Sequence, residues 1–225
     1  MNPNKLWTSS LGTARKLYVR TKKSLLGGLR CRLCLAPSSE ALCQACFSDL
    51  PWLSVSERIK RRAFGEEMAA FSYQSPLNAL IVSAKYQGGM GLCSLLGELA
   101  AKSLGSPSRP VDCLVPVPMP WQRVLRRGYN HADEIARAFA TVWNLPLRFD
   151  LLKRQGWQPP QQGASRRERK NRLSAAFTGE PGVAGCAVML VDDVSTTGST
   201  LEACALALQK AGAARVDAVV VARTA

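Results

Sequence analysis

Two runs, CAVMLV at 186–191 and VDAVVVA at 216–222, are apolar at nearly every position. A strand that meets water on one face alternates polar and apolar residues, whereas a strand without that alternation is covered on both faces. Such strands lie inside a sheet sandwiched by helices, and the sheet is mostly parallel because its connections pass through those helices. Helical spacing occurs where this architecture needs it. PLNALIVSAKYQ opens at Pro76 and is stopped by Gly88 and Gly89, and LCSLLGELAAKSL repeats leucine at 92, 95, 96 and 99. YNHADEIARAFATVW places Ile135, Phe139 and Val142 on one face, and STLEACALALQKAG turns Leu201, Ala205 and Leu208 inward before Gly212. AAFSYQ (69–74) and LRFDLL (147–152) read as further strands, and VDCLVPVPMP begins as a buried strand that its prolines end. The fold class expected is α/β, a mostly parallel sheet flanked by helices.

CRLCLAPSSEALCQAC lies outside this pattern. Cys31, Cys34, Cys43 and Cys46 form C-x2-C-x8-C-x2-C. Two residues between cysteines let both sulfurs of a knuckle face one point, and two knuckles supply a tetrahedral set of thiolates. Zinc suits that geometry, and an iron–sulfur cluster also accepts four thiolates. Four protein ligands leave no position for a substrate, so the role is structural. Zinc binding worth roughly 10–16 kcal/mol would let residues 29–52 fold with almost no core of their own. Cys93, Cys113, Cys186 and Cys204 stand singly in apolar surroundings and read as small core residues. The organisation expected is a basic N-terminal extension (1–29), a small four-cysteine zinc ribbon (30–56), a basic linker ERIKRR (57–62) and one larger domain (63–225).

The chain has 225 residues and a formal charge of +14. Residues 1–62 hold 12 basic and 3 acidic side chains, and residues 153–172 hold 7 and 1. A field so placed attracts anions, whether nucleic acid, a polyphosphate or an acidic partner, although the first block is equally readable as a solvated tail. Little apolar periodicity and several Gly, Pro, Gln and Arg residues mark 153–172 as a long mobile loop. No apolar run reaches the 18 or so residues of a membrane span. The apolar piece SLLGGL is too short for a signal-peptide core, so the protein is read as cytoplasmic.

VMLVDDVSTTGST (188–200) carries the chemistry. Asp192 and Asp193 stand at the carboxyl end of a strand, where ligands of such sheets bind. The next residues turn at Gly198 into a helix, and backbone N–H groups, hydroxyls and the positive helix end favour a phosphate there. No Lys follows the Gly, so this is not a P-loop. Two carboxylates beside an anion cradle suit hydroxyls or a metal ion. A ribose 5-phosphate offers both partners: a phosphate for the turn and a diol for the acids. A solvated Asp pair followed by a helix-capping Ser/Thr cluster is the plainer alternative.

VMLVDDVSTTGST resembles the phosphoribosyl pyrophosphate (PRPP) motif of type I phosphoribosyltransferases. With the paired knuckles, FSYQSPLNALIVSAKYQGG, VPVPMPWQRVLRRGYNHADEIA and RKNRLSAAF, the chain resembles the ComF family, which includes GntX-like proteins, across residues 30–225. The resemblance implies a metal ribbon followed by a type I phosphoribosyltransferase domain. It implies PRPP with magnesium, a nitrogen acceptor (nucleobase or amine) and release of pyrophosphate. Asp192 and Asp193 would bind the ribose hydroxyls, and Thr196, Thr197, Gly198, Ser199 and Thr200 the 5′-phosphate. The pyrophosphate loop would carry Arg123, Arg126 and Arg127, Lys85 would match the family's lysine after its first helix, and Gln161 and Arg169 would lie on a loop that closes over the site. Asp192, Asp193, Arg127 and Lys85 would be the catalytic set. The same resemblance supports a competence or DNA-uptake adaptor, with single-stranded DNA or a DNA-uptake helicase as partner, and a homodimer. Thr196 stands where purine-type members often place an Asp, so a proton acceptor is missing. His131 replaces a frequent Gln and is expected as a surface residue at a helix start.

Overall fold

The computed structural model describes residues 30–54, 58–61, 63–86, 89–155 and 172–224. The expected basic extension, Gln161 and Arg169 lie outside them. A short helix α1 (Gln44–Ser48) is followed by β1 (Ile59–Lys60), β2 (Glu66–Ser72), α2 (Leu77–Ala84), α3 (Met90–Leu104) and β3 (Cys113–Pro116). Then come α4 (Trp121–Arg127), α5 (His131–Trp143), β4 (Leu152–Arg154), β5 (Phe177–Gly179), β6 (Ala187–Ser195), α6 (Ser199–Lys210) and β7 (Arg215–Arg223). The main sheet has the order β1-β2-β7-β6-β3, and only β1 runs antiparallel to its neighbour. β4 and β5 form a separate antiparallel ribbon. The continuous apolar strands β6 and β7 lie at the centre, as their lack of alternation requires.

Alternate residues of these strands feed two cores. Met189, Val191, Val219 and Val221 pack with Leu80, Leu96, Leu99, Ile135 and Phe139 from α2, α3 and α5. Val188, Leu190, Ala218 and Val220 pack with Leu201, Cys204 and Leu208 of α6 and with Leu151 and Phe177 around the β4–β5 ribbon. Gly97 permits the tight crossing of α3 and α5, because a Cβ there would lie 2.8 Å from the Ile135 carbonyl oxygen. Among the described residues no helix is long and apolar enough to cross a membrane.

The four-cysteine segment does not stand apart from this core. Cys31, Leu42, Cys46 and Leu50 are buried in the α2–α3–α5 cluster. Trp52 pairs with Phe71 of β2, their rings 4.5 Å apart, and Ser72 N–H donates to the Pro51 carbonyl. The segment thus gains apolar burial from the sheet, which a module with almost no core would lack.

Other elements differ from the sequence expectation for tertiary reasons. Ile59–Lys60, expected as linker, forms an edge strand on β2. The strand expected at 147–152 is displaced: Leu147 makes only an isolated bridge to Leu114, and pairing begins at Leu152 opposite Gly179. Residues 148–151 bend around the bidentate Arg148–Asp150 pair. The arginines expected on a loop lie on the short helix α4. Three of the single cysteines, Cys93, Cys113 and Cys204, are core residues, whereas Cys186 is partly exposed.

Candidate functional site

β6 runs four residues further than its apolar stretch, through Ser195, because β7 matches its length: Asp192 pairs with Val220 and Ser195 with Arg223. β3 on the other side stops earlier. Its last pair is Pro116 with Val191, and Pro118 and Pro120 follow, which cannot donate to a ladder. Among the described residues, 192–195 therefore have one edge free of strand pairing at the carboxyl end of the sheet.

Extended backbone alternates, so the two aspartates leave β6 on opposite faces. Asp193 lies on the face of Met189 and Val191, where its Oδ2 is 2.7 Å from Lys85 Nζ and 3.7 Å from His131 Nε2. Asp192 lies on the face of Val188 and Leu190, where its charge acts on Cys204 and Arg154. Burial, reinforced by the neighbouring Asp193, raises the Asp192 carboxyl well above the usual carboxylate range. Asp193 already has a cation, whereas Asp192, whose carboxyl also interacts with that of Asp193, makes no ion pair among the described residues.

The Asp193 side is assembled from three distant segments. Lys85 caps the end of α2. The Tyr129 hydroxyl donates to the Ala84 carbonyl and so ties that end to the α4–α5 junction. Asn130 caps α5 by accepting from Ala132 N–H, and its amide donates to the Val117 carbonyl at the end of β3. These ties bring His131 to Asp193 and Arg127 to His131. Arg127 Nη1 lies 2.8 Å from His131 Nε2. Because a guanidinium only donates, a ring nitrogen of His131 accepts and the imidazole is neutral. Arg127 Nε is buried without a hydrogen-bond partner among the described residues. Arg123 and Arg126 are exposed on α4.

His131 is 6% exposed, against the expectation of a surface histidine. Burial pushes its pKa down to about 4; Asp193 opposes this, while Arg127, Lys85 and Arg123 add to it. The unfolded chain takes up this proton near pH 6.5 and the folded chain refuses it until about pH 4. The stability this group contributes is therefore present above pH 6.5 and lost as pH falls toward 4, at most about 3 kcal/mol. In urea titrations from pH 7.5 to 4.5, His131→Gln is expected to flatten that part of the decline. An unchanged slope would contradict a neutral buried imidazole.

The turn expected at Gly198 is formed. Gly198 adopts φ 76°, a left-handed conformation that favours glycine, and starts α6. The Thr197 and Ser199 hydroxyls lie 2.8 Å apart, and Thr196, Thr197, Ser199 and Thr200 all keep some exposure. Thr224 N–H holds the base of the turn through the Ser195 carbonyl. On the Asp192 face, Pro118, Trp121, Leu152 and Arg154 help line an open concavity of about 320 Å³.

The sulfurs of Cys31, Cys34, Cys43 and Cys46 all lie within 4.8 Å of one another, and those of Cys34 and Cys43 are 3.7 Å apart. A tetrahedral zinc with bonds of about 2.3 Å requires sulfurs roughly 3.8 Å apart, so the donor set fits. Cys43 caps α1 and Cys46 lies within it, which orients the second knuckle.

Residues 124–225, which include α5, the aspartates and the turn, match the phosphoribosyl transferase domain family. Competence protein F of Haemophilus influenzae is 28% identical over 186 residues, 78% of this chain and 81% of its own. The DNA utilization protein YhgH of Salmonella typhi is 32% identical over 159 residues, 68% of this chain and 69% of its own. The chain belongs to the ComF family. The ComF-family fold is thus the phosphoribosyltransferase-like sheet and helices described above, preceded by the four-cysteine cluster. Among solved structures, the allosteric regulatory enzyme of purine biosynthesis aligns with 62% of this ComF-family chain and 30% of its own, at 18% identity and a TM-score of 0.45.

Two features of the site had no clear signal in the sequence. His131 is separated from Arg127 by the helix break at Gly128, so their contact is not a helical i,i+4 pair. Arg61 and Glu67 meet beside Gly198 although neither belongs to a motif.

Proposed function

We propose that the protein binds PRPP with magnesium and transfers ribose 5-phosphate to a nitrogen acceptor. The observation that carries this reading is the open turn at 196–200 beside Asp192, inside the segment that matches phosphoribosyl transferases. The 5′-phosphate sits on the N–H groups and hydroxyls of the turn, aided by about half a positive charge at the start of α6. Asp192, which has no ion-pair partner among the described residues, accepts from the ribose hydroxyls.

The acceptor nitrogen attacks C1 with its lone pair, the C–N bond forms, and the C1–O bond breaks with its electrons going to pyrophosphate. Negative charge grows on the leaving group, where Lys85 and the Arg127 Nε–H, which has no hydrogen-bond partner among the described residues, stabilise it; a magnesium ion arriving with the substrate would supply further positive charge there. The proton released from nitrogen goes to water or to a base on the acceptor, since Thr196 cannot take it. Asp193 keeps Lys85 and the Arg127–His131 pair in place. In the four-cysteine cluster a zinc ion would close the ribbon, held by Cys31, Cys34, Cys43 and Cys46, with no part in the chemistry.

Isothermal titration with magnesium–PRPP, then pyrophosphate release across a panel of nucleobases and amines, tests the reading. Binding heat and acceptor-dependent pyrophosphate are expected. No heat, with and without acceptors, would end it. A second reading, a DNA-handling adaptor on the same fold, is favoured by the names competence and DNA utilization carried by the relatives. It is also favoured by Trp121 and Leu125, 62% and 73% exposed among the arginines of α4. That reading expects no pyrophosphate release with any acceptor.

A further inference from the structure

The edge strand β1 delivers an arginine to the phosphate turn. Arg61 follows β1, and its guanidinium lies directly over Gly198: a Cβ at Gly198 would be 3.0 Å from Arg61 Cζ and 3.1 Å from Nη1. On its other side the same guanidinium meets Glu67, a β2 residue with no exposed surface, through Nε and Nη2, each 2.7 Å from Oε2. Glu67 Oε1 is buried and has no hydrogen-bond partner among the described residues. Nη1 likewise makes no hydrogen bond to them.

A packed hydrophobic pair in this place would typically be neutral or stabilising, so the buried ion pair is poorly explained by stability. It is well explained by orientation. Glu67 fixes the plane of the guanidinium and takes two of its five N–H groups, which leaves the Nη1 pair directed at the turn. The backbone beneath is pinned at three points. Arg61 N–H donates to the Gly65 carbonyl, Gly65 N–H to the Val216 carbonyl, and Glu66 N–H to Asp217 Oδ1 at 2.8 Å. The guanidinium is therefore held in position before any ligand arrives, and little side-chain freedom remains to be lost on binding.

We propose that Arg61 is a phosphate-binding residue, donating from Nη1 to the terminal phosphoryl group held by residues 196–200, and that Glu67 is its positioning residue. This rests on the phosphoribosyl reading above and adds to it a cation from outside the sequence motif. Planar guanidinium donors suit phosphoryl oxygens, and charge-assisted bonds to them are about twice as strong as neutral ones. The pair also accounts for glycine at 198 beyond its φ, since a methyl group there would push Arg61 away from the turn.

The experiment is calorimetric titration of the full chain with ribose 5-phosphate, with magnesium–PRPP and with magnesium–pyrophosphate, alongside thermal unfolding without ligand. Arg61→Gln is expected to weaken ribose 5-phosphate and PRPP roughly tenfold to a hundredfold while leaving pyrophosphate affinity unchanged. Glu67→Gln, which keeps the arginine and loosens its aim, is expected to show a smaller loss of the same pattern. If Arg61→Gln alone proves unstable, Arg61→Met with Glu67→Leu removes both charges together and carries the same expectation. Wild-type protein that binds PRPP, with variants that bind it equally well, would overturn the role of Arg61 and leave the phosphoribosyl reading intact. Equal weakening of all three ligands would reduce Arg61 to a structural tie. Wild-type protein that binds none of the three would remove the reading and this inference together.

Discussion

Asp192→Asn is expected to lower acceptor-dependent pyrophosphate release by about a hundredfold to a thousandfold, the usual consequence of removing one preorganised electrostatic contact. The substitution keeps the shape and removes the charge proposed to face the ribose. Its effect on folding has the opposite sign. Burial and Asp193 hold the Asp192 carboxyl well above its ordinary range, so the unliganded fold is penalised as pH rises through that raised pKa. A neutral amide carries no such penalty, and the unliganded variant is expected to be at least as stable as the wild type at neutral pH. Asp193→Asn separates from it on this second readout. It strips Lys85 of its counterion at 2.7 Å and loosens the site of Arg127 and His131, so activity and stability fall together. Turnover and urea midpoints measured on both variants decide the matter. Full turnover in the Asp192 variant would exclude its role at the sugar.

Loss of metal from the cysteine cluster is expected to have the largest effect on stability. Structural zinc is worth roughly 10–16 kcal/mol in small modules, comparable with the entire stability of a domain. Cys34→Ser isolates the metal contribution, because Cys34 is exposed, whereas Cys31 and Cys46 are buried in the main core and would also place a hydroxyl there. The variant is expected to retain less zinc by elemental analysis and to melt at least about 10 °C lower, since 1 kcal/mol shifts a chain of this size by about 2–4 °C. The loss should spread beyond residues 30–54, because Leu42, Leu50 and Trp52 pack on the sheet and on Phe71. A zinc-free variant with an unchanged midpoint would show that packing alone holds the ribbon.

The elements read most accurately from sequence are those whose signal is local and complete. α5 and α6 start at capped or left-handed residues and carry apolar residues at helical spacing, and β6 and β7 announce double burial by their lack of alternation. The elements missed depend on a partner. Two residues, Ile59 and Lys60, have no strand signature and pair only because β2 offers an edge. Phe177–Gly179 is too short to show a period and is a strand only opposite Leu152–Arg154. His131 lies at a polar helix start, which reads as surface, and is buried because Tyr129 and Asn130 tie that start to Ala84 and Val117.

By itself the sequence determined the cysteine knuckles and the turn at Gly198, because both are made within a few consecutive residues: cysteines two apart converge on one point, and glycine permits the turn that aims N–H groups outward. Tertiary structure alone decided which charge meets which. Lys85 reaches Asp193 across more than a hundred residues of chain, Arg61 reaches Gly198 across an even longer stretch, and β7 carries β6 far enough to send its two aspartates to opposite faces. Such pairings are set by strand order and length, and no local pattern of residues encodes them.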